Sequence, residues 1–297
     1  MSSRPCLTSA EIATQPRMWE RAVALAASGG LPLPGERVAV IGCGTSWFIA
    51  QAYAALRERA GQGWTDAFAA SEVPSGRAWD RVLTITRSGT TTEVLRLLRT
   101  VRGTAPTTVI TGTPGSPATA AADHTVLLDF ADEQSVVQTR FATTALALLR
   151  AHLGEDLSAA VTDAESAVHR DVDHHLVEAR QFTFLGTGWT VGLAAEAALK
   201  MREAAGAWTE SYPAMEYRHG PISIAAPGRV TWVLGAVPEG LDADVHQAGG
   251  TLIASPGLDP MAELVRIQKL AVAIAQHHGL DPDRPRNLTR SIILDQE

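Results

Sequence analysis

The sequence predicts an α/β protein made of two tandem halves, each a parallel sheet flanked by helices. Three observations lead there. An apolar strand, Val38 to Ile41, runs into Gly42-Cys43-Gly44 and then an Ala-rich helical stretch. Residues 182–205 (FTFLGTGWTVGLAAEAALKMREAA) repeat that plan through Gly186-Thr187-Gly188, and the paired glycines stand 144 residues apart, the mark of an internal duplication. Strand-like and helix-like stretches then alternate in both halves, as in a parallel sheet covered on two faces.

In the first half, Val82 to Ile85 reads as a strand, followed by a Ser/Thr/Gly turn and a helix from Thr92 to Val101; Thr107 to Ile110 and Thr125 to Leu128 are further strands. Asp156 to Arg180 is helical in pattern and joins the halves. In the second half, Val230 to Leu234 and Thr251 to Ile253 read as strands, and residues 261–278 as an amphipathic helix closed by Gly279. The tail from Asp281 holds two prolines and an extended Ser291 to Leu294. The division expected is 1–155, with an N-terminal helix, and 156–297, with the tail.

Composition narrows the function. With 45% hydrophobic and 19% charged residues, the 297-residue chain can build real cores. Its net charge of -7 offers no basic field for nucleic acid, so an anionic ligand must be held by local donors. No apolar run approaches the ~18 residues of a membrane helix, and Met1 to Ala10 lacks a signal-peptide stretch, so a cytoplasmic protein with no membrane partner is expected. Two cysteines, Cys6 and Cys43, are too few for a disulfide framework. No metal or cofactor is expected: His277 and His278 are adjacent and cannot share a helix face, and Glu216 and His219 lack further ligands nearby. Of 25 basic residues only Lys200 and Lys269 are lysine, as if lysine were kept where arginine fails.

Four motifs carry chemistry. Gly42-Cys43-Gly44-Thr45-Ser46 lets a backbone turn approach a ligand at a helix N-terminus, with the hydroxyls of Thr45 and Ser46 as neutral donors. It lacks the third glycine of a dinucleotide fingerprint and the Gly-Lys-Ser/Thr ending of a P-loop. Thr86-Arg87-Ser88-Gly89-Thr90-Thr91-Thr92-Glu93 crowds five hydroxyls and a guanidinium onto one helix start, a cradle for a phosphate monoester. Helix capping by Ser88, Thr91 or Thr92 would account for only one hydroxyl. Lys200 and Glu203 share a helix face, either as an exposed ion pair or as a charged acid–base pair. His219, just before Gly220-Pro221, is a titratable group suited to proton transfer.

Taken together, these segments resemble the sugar isomerase (SIS) superfamily, specifically the isomerase portion of glucosamine-6-phosphate synthase and its stand-alone relatives. The resemblance runs through Glu11 to Pro16, the 42–46 and 86–91 turns, Glu133 to Thr144 (EQSVVQTRFATT), Ala198 to Glu203, Arg218 to Pro221 and Pro285 to Leu288. It implies a flavodoxin-like three-layer αβα fold in each half. By resemblance, Gly44, Thr45, Ser46, Thr86, Arg87, Ser88 and Thr91 hold the sugar phosphate and nearby hydroxyls, and Gln138 and Thr139 touch substrate. Glu203 matches the carboxylate that moves a proton between C1 and C2, with Lys200 beside it. His219 matches the ring-opening histidine, which the synthase takes from a neighbouring subunit, implying a homodimer.

Two departures limit the match. No glutaminase domain or N-terminal nucleophilic cysteine precedes the isomerase portion, so glutamine-dependent synthesis is not expected. The synthase's imine-forming lysine aligns with Arg290, which stays protonated and cannot be that nucleophile. The function expected is an aldose–ketose isomerase or deaminase acting on an amino-sugar phosphate. The alternatives are a deglycase of a fructosamine 6-phosphate and a non-catalytic sugar-phosphate sensor.

Overall fold

The computed structural model describes residues 6–294. They form two compact units that interleave along the chain. The front unit comprises residues 17–134, 140–157 and the tail from Thr289; the rear unit takes the residues up to Pro16, 135–139 and 158–288. Relative to a division at 155/156, the residues up to Pro16, 135–139, 156–157 and the tail from Thr289 group the other way. No helix among the described residues is long and apolar enough to cross a membrane.

The chain opens with α1 (Leu7–Ala13) and α2 (Gln15–Val23). The front unit continues with β1 (Val38–Gly42), α3 (Thr45–Arg59), β2 (Thr65–Ala69), β3 (Arg81–Ile85), α4 (Thr92–Val101), β4 (Thr107–Thr111), α5 (Pro117–Ala121), β5 (His124–Leu127) and α6 (Arg140–His152). Its five strands are all parallel in the order β2-β1-β3-β4-β5, the doubly wound order expected of a flavodoxin-like sheet. β1 is buried along its whole length because both faces are covered. Ala39 and Ile41 pack with Val82, Val109, and Val94 and Leu98 of α4 on one side; Val38 and Val40, alternating with them, are buried on the other. Trp19 of α2, fully buried, donates its Nε1–H to Thr143 of α6 at 3.0 Å.

The rear unit holds α7 (Ser158–His169), α8 (His174–Val177), β6 (Gln181–Gly186), α9 (Thr190–Ala205), β7 (Thr209–Pro213), β8 (Arg229–Leu234), α10 (Leu241–Gln247), β9 (Thr251–Ala254) and α11 (Pro260–His277). Four parallel strands run β7-β6-β8-β9, the front order without its last strand. The amphipathic helix, α11, is packed by α1, α7, α8, α9 and β8, and its partly exposed positions Arg266, Lys269, Ala273 and Gln276 fall along one face. Of its core polar groups, Glu263 accepts from Trp232 Nε1–H at 2.5 Å, and Gln268 accepts from Gln15 at 2.7 Å while its own buried Nε2 has no partner among the described residues.

Two strands, β2 and β7, carry no clear sequence signal. Thr65–Ala69 and Thr209–Pro213 are half-exposed edge strands without an apolar run. They nevertheless obey the same 144-residue offset, pairing Val38 with Thr65 and Phe182 with Thr209. One device fixes both edges. Arg57 of α3 donates to Thr65 Oγ1 at 2.8 Å, and Arg202 of α9 donates to Thr209 Oγ1 at 3.0 Å.

Candidate active site

Ligands of open parallel sheets bind beyond the carboxyl ends of the strands, where the strand order reverses. In the front unit that point lies between β1 and β3, paired in register, and it brings together the 42–46 and 86–92 turns. A Cβ on Gly42 would run into the backbone of Ser46 and Trp47, so α3 starts hard against the strand end. Gly44, at φ 55°, makes the left-handed step that starts it. Thr45 and Ser46 are the first residues of α3 and are buried, as are Thr86, Arg87 and Ser88. Burial pushes the Cys43 thiol up, which keeps it protonated and argues against a nucleophilic role.

The hydroxyls of the 86–92 turn do not cap α4: its N-cap, Thr91, makes no side-chain capping bond. They form a network instead. Ser88 Oγ accepts from the Thr90 amide at 3.2 Å and from the Thr90 hydroxyl at 3.0 Å, and Thr90 Oγ1 lies 2.9 Å from Ser291 Oγ, whose hydroxyl can donate to it. The C-terminal segment lies along this turn: the Thr92 amide donates to Ile292 O at 3.1 Å, and the Leu294 amide donates to Thr92 Oγ1 at 2.9 Å. Arg87 lies 3.6 Å from the buried carboxylate of Glu133 and donates to the Arg290 carbonyl at 3.2 Å. The Arg290 guanidinium is held by Asp132 and the Glu133 carbonyl, so it fastens the tail to the front unit.

Two participants in this neighbourhood were not read from the sequence. Glu133 accepts the Arg140 amide at 2.8 Å, capping α6 while facing Arg87. Ser116, whose buried hydroxyl has no partner among the described residues, sits where a Cβ on Gly89 would collide with it. The GSP triplet at 115–117 hints at Ser116, and Glu133 opens the EQSVVQT segment without being assigned a role there.

In the rear unit, α9 carries the acid–base candidates. Lys200 is buried with its ammonium bonded to Glu203 and 3.6 Å from Glu196, both carboxylates on its own helix. The exposed-pair reading therefore fails for Lys200. Glu203 alone of the three reaches solvent, its side chain 19% exposed against 1% for the other two. It opens on a cavity of about 490 Å³ lined also by Arg202, Asp281, Arg284, Arg286 and Asn287. Lys269, the other lysine, donates to the carbonyls of Ala167, Val168 and Arg170 and so closes the end of α7.

His219 ends a short 3₁₀ turn, Glu216–His219, and is exposed while Tyr217 beside it is buried. Gln138 and Thr139 belong to the rear unit's short segment, whose Ser135 is bonded to Glu11 of α1. Thr139 is buried, and Gln138 Oε1 is buried with no partner among the described residues, an acceptor left for a ligand or water. No cluster of His, Cys, Asp and Glu among the described residues is arranged to hold a metal ion.

The front unit is thus a doubly wound α/β sheet with a hydroxyl-rich turn at its switch point, and the rear unit a second such sheet whose first long helix carries a buried lysine–carboxylate pair. Residues 34–153 match the model of the SIS domain. The isomerizing glutamine–fructose-6-phosphate aminotransferase of Methanothermobacter thermautotrophicus is 26% identical over 88% of this chain and 52% of its own length. The chain spans about half the length of the curated relatives it matches. Among solved structures, a glucosamine-6-phosphate deaminase from Thermotoga maritima superposes with a TM-score of 0.79 at 22% identity, covering 97% of this chain and 100% of that one. The tagatose-6-phosphate ketose/aldose isomerase of Escherichia coli gives 0.78 at 17% identity, covering 99% and 97%. At such identities the likeness speaks for the fold.

Proposed function

We propose that the protein is a phosphosugar aldose–ketose isomerase acting on an amino-sugar phosphate, with the rear unit as a second SIS domain. The observation that carries this reading is the Lys200–Glu203 pair: a buried ammonium clamped to a carboxylate that alone reaches a cavity. Isomerisation needs an open-chain sugar, a base for the proton between C1 and C2, and stabilisation of the enediol that forms. Glu203 takes the proton from one carbon and returns it to the other. Lys200 holds that carboxylate in place and supplies positive charge beside it. Thr45, Ser46, Thr86, Arg87, Ser88 and Thr91 receive the phosphate, and Gln138 and Thr139 contact the sugar.

His219 moves the ring-opening proton, and its exposure suits a histidine offered to a second copy in a homodimer. In the deaminating form, an aldose carrying a 2-amino group isomerises to the ketimine level and takes up water, releasing ammonia and a ketose phosphate. Mass spectrometry of products from hexosamine and fructosamine 6-phosphates, with an ammonia assay alongside, tests the reading. An isomerised or deaminated product is expected; tight binding with no product from any of the panel would make the protein a sensor.

A further inference from the structure

The rear sheet stops one strand short of the front sheet. In the front unit β4 lies between β3 and β5; its counterpart in the rear unit, β9, pairs with β8 and, among the described residues, with no strand beyond. An edge strand uses only alternate residues for its one neighbour, so the other amides and carbonyls of β9 point outward into an unfilled lane. That lane is a cavity of about 480 Å³ within the rear unit, bounded by the edge of β9, by α11 and by residues 170–173 past the end of α7.

Sheet edges are normally blunted by a charge, a proline or a covering segment, because an open row of amides and carbonyls recruits another chain. Among the described residues, three of the four sheet edges follow that rule. β2 carries Asp66, paired with Arg77; β5 carries His124, set against the Gly30 backbone; β7 carries Glu210 and Pro213. β9 reads Thr251-Leu252-Ile253-Ala254, with no charge, titratable group or proline. All of β4 is buried, whereas every residue of β9 is exposed or partly exposed.

The charges around the lane indicate what fits it. Arg266 is tied to Glu263 and Ser255, and Lys269 is spent on three backbone carbonyls. Asp173 accepts the His175 amide at 3.0 Å. Arg170 and Asp171 are exposed, and among the described residues neither side chain is in a hydrogen bond or ion pair. One cation beside one anion complements its own copy about a two-fold axis and favours no partner of a single sign.

We propose that β9 is a self-association edge: two copies of this chain pair their β9 strands antiparallel about a two-fold axis, joining two rear sheets into one. Leu252 and Ala254 pack with the Leu241 and Val245 cluster, so Ile253 faces the opposite side, towards α11. A two-fold perpendicular to the sheet keeps each face on its own side, and therefore passes through a residue and not between two. Centred on Ile253, it sets the two isoleucines together, places Leu252 opposite Ala254, and turns Arg170 of each copy towards Asp171 of the other. His219 follows β7, the opposite edge of the same sheet, so this contact is not one that exchanges histidines. Where both contacts form, the copies assemble as pairs of pairs.

The test is sedimentation equilibrium of the full chain over a concentration series, with circular dichroism to show that each variant is folded. Ile253→Lys places two ammonium groups face to face on the axis, and its particle mass is expected to be half that of the unmutated chain. Arg170→Asp and Asp171→Arg change only exposed side chains, so they decide the matter even where Ile253→Lys does not fold. Each alone sets like charges across the axis and should weaken association on the order of tenfold. Mixed in equal amounts, the two should recover it, because opposite charges meet again. Equal mass for the unmutated chain and folded Ile253→Lys would overturn the proposal. So would a mixture of the two charge variants that associates no better than either alone.

Discussion

The front and rear units begin alike and end differently. Each starts with a strand, a glycine turn and a long helix, and in each the first glycine stands where a Cβ would strike the helix backbone: Ser46 and Trp47 beside Gly42, Thr190 and Val191 beside Gly186. Each pins its edge strand with an arginine-to-threonine bond, Arg57 to Thr65 and Arg202 to Thr209. The fourth strands, β4 and β9, also pair alike, but the turns after the third strands differ. β3 leads into five hydroxyls and Arg87, whereas β8 leads into Gly235 to Gly240, which is poor in donors, and the rear sheet lacks a fifth strand. The rear unit instead places its charge on the helix, at Lys200 and Glu203. The two units share what sterics demand and differ in the polar groups they carry; on the reading proposed above, one offers anion donors and the other a proton carrier.

The division of labour breaks first at Glu203. Glu203→Gln should lower turnover by on the order of 10²–10⁴-fold while leaving phosphosugar affinity nearly intact, as measured by steady-state kinetics beside calorimetry. An equal loss of affinity would make Glu203 structural. The complementary variant, Arg87→Ala with Ser88→Ala, should weaken phosphosugar binding by ~2–5 kcal/mol. An unchanged dissociation constant would move the phosphate away from the front turn.

The shared scaffold can be tested through its glycines. Gly42→Ala and Gly186→Ala should each destabilise by ~1–3 kcal/mol in urea unfolding, since an added methyl forces the helix start off its strand. A cost in only one unit would show that the two turns are alike in sequence but not in packing. The smallest effect concerns Asp283, which caps α1. Burial raises its carboxyl, but bonds from the Thr8 and Leu7 amides and the Thr8 hydroxyl outweigh that and hold it below its usual value. The unfolded chain therefore binds this proton more readily, so the stabilisation is complete above about pH 4 and is lost as pH falls through the folded value. Asp283→Asn should cost ~1–2 kcal/mol at neutral pH and flatten the acid side of the stability profile, read from melts at stepped pH.

The parts of the fold legible in the sequence were those written in local pattern. The 144-residue repeat, the strands β1, β3, β4, β6 and β8, and the turns at their ends follow from apolar runs and glycines. β2 and β7 escaped because edge strands need no apolar run, although projecting the repeat onto Thr65 would have located Thr209. The burial of Lys200 was hinted at by the scarcity of lysine. The fastening of Arg290 to Asp132 and Glu133, and of Asp283 to α1, had no sequence signal, since each joins residues more than 150 positions apart.

The most direct measurement is solvent deuterium exchange at C1 and C2 of a hexosamine 6-phosphate, followed by proton NMR in D₂O at saturating sugar. The unmutated chain and the Arg87→Ala, Ser88→Ala variant should both exchange the carbon-bound proton, and Glu203→Gln should not. Exchange by Glu203→Gln at the parental rate would contradict the assignment of proton transfer to the rear unit.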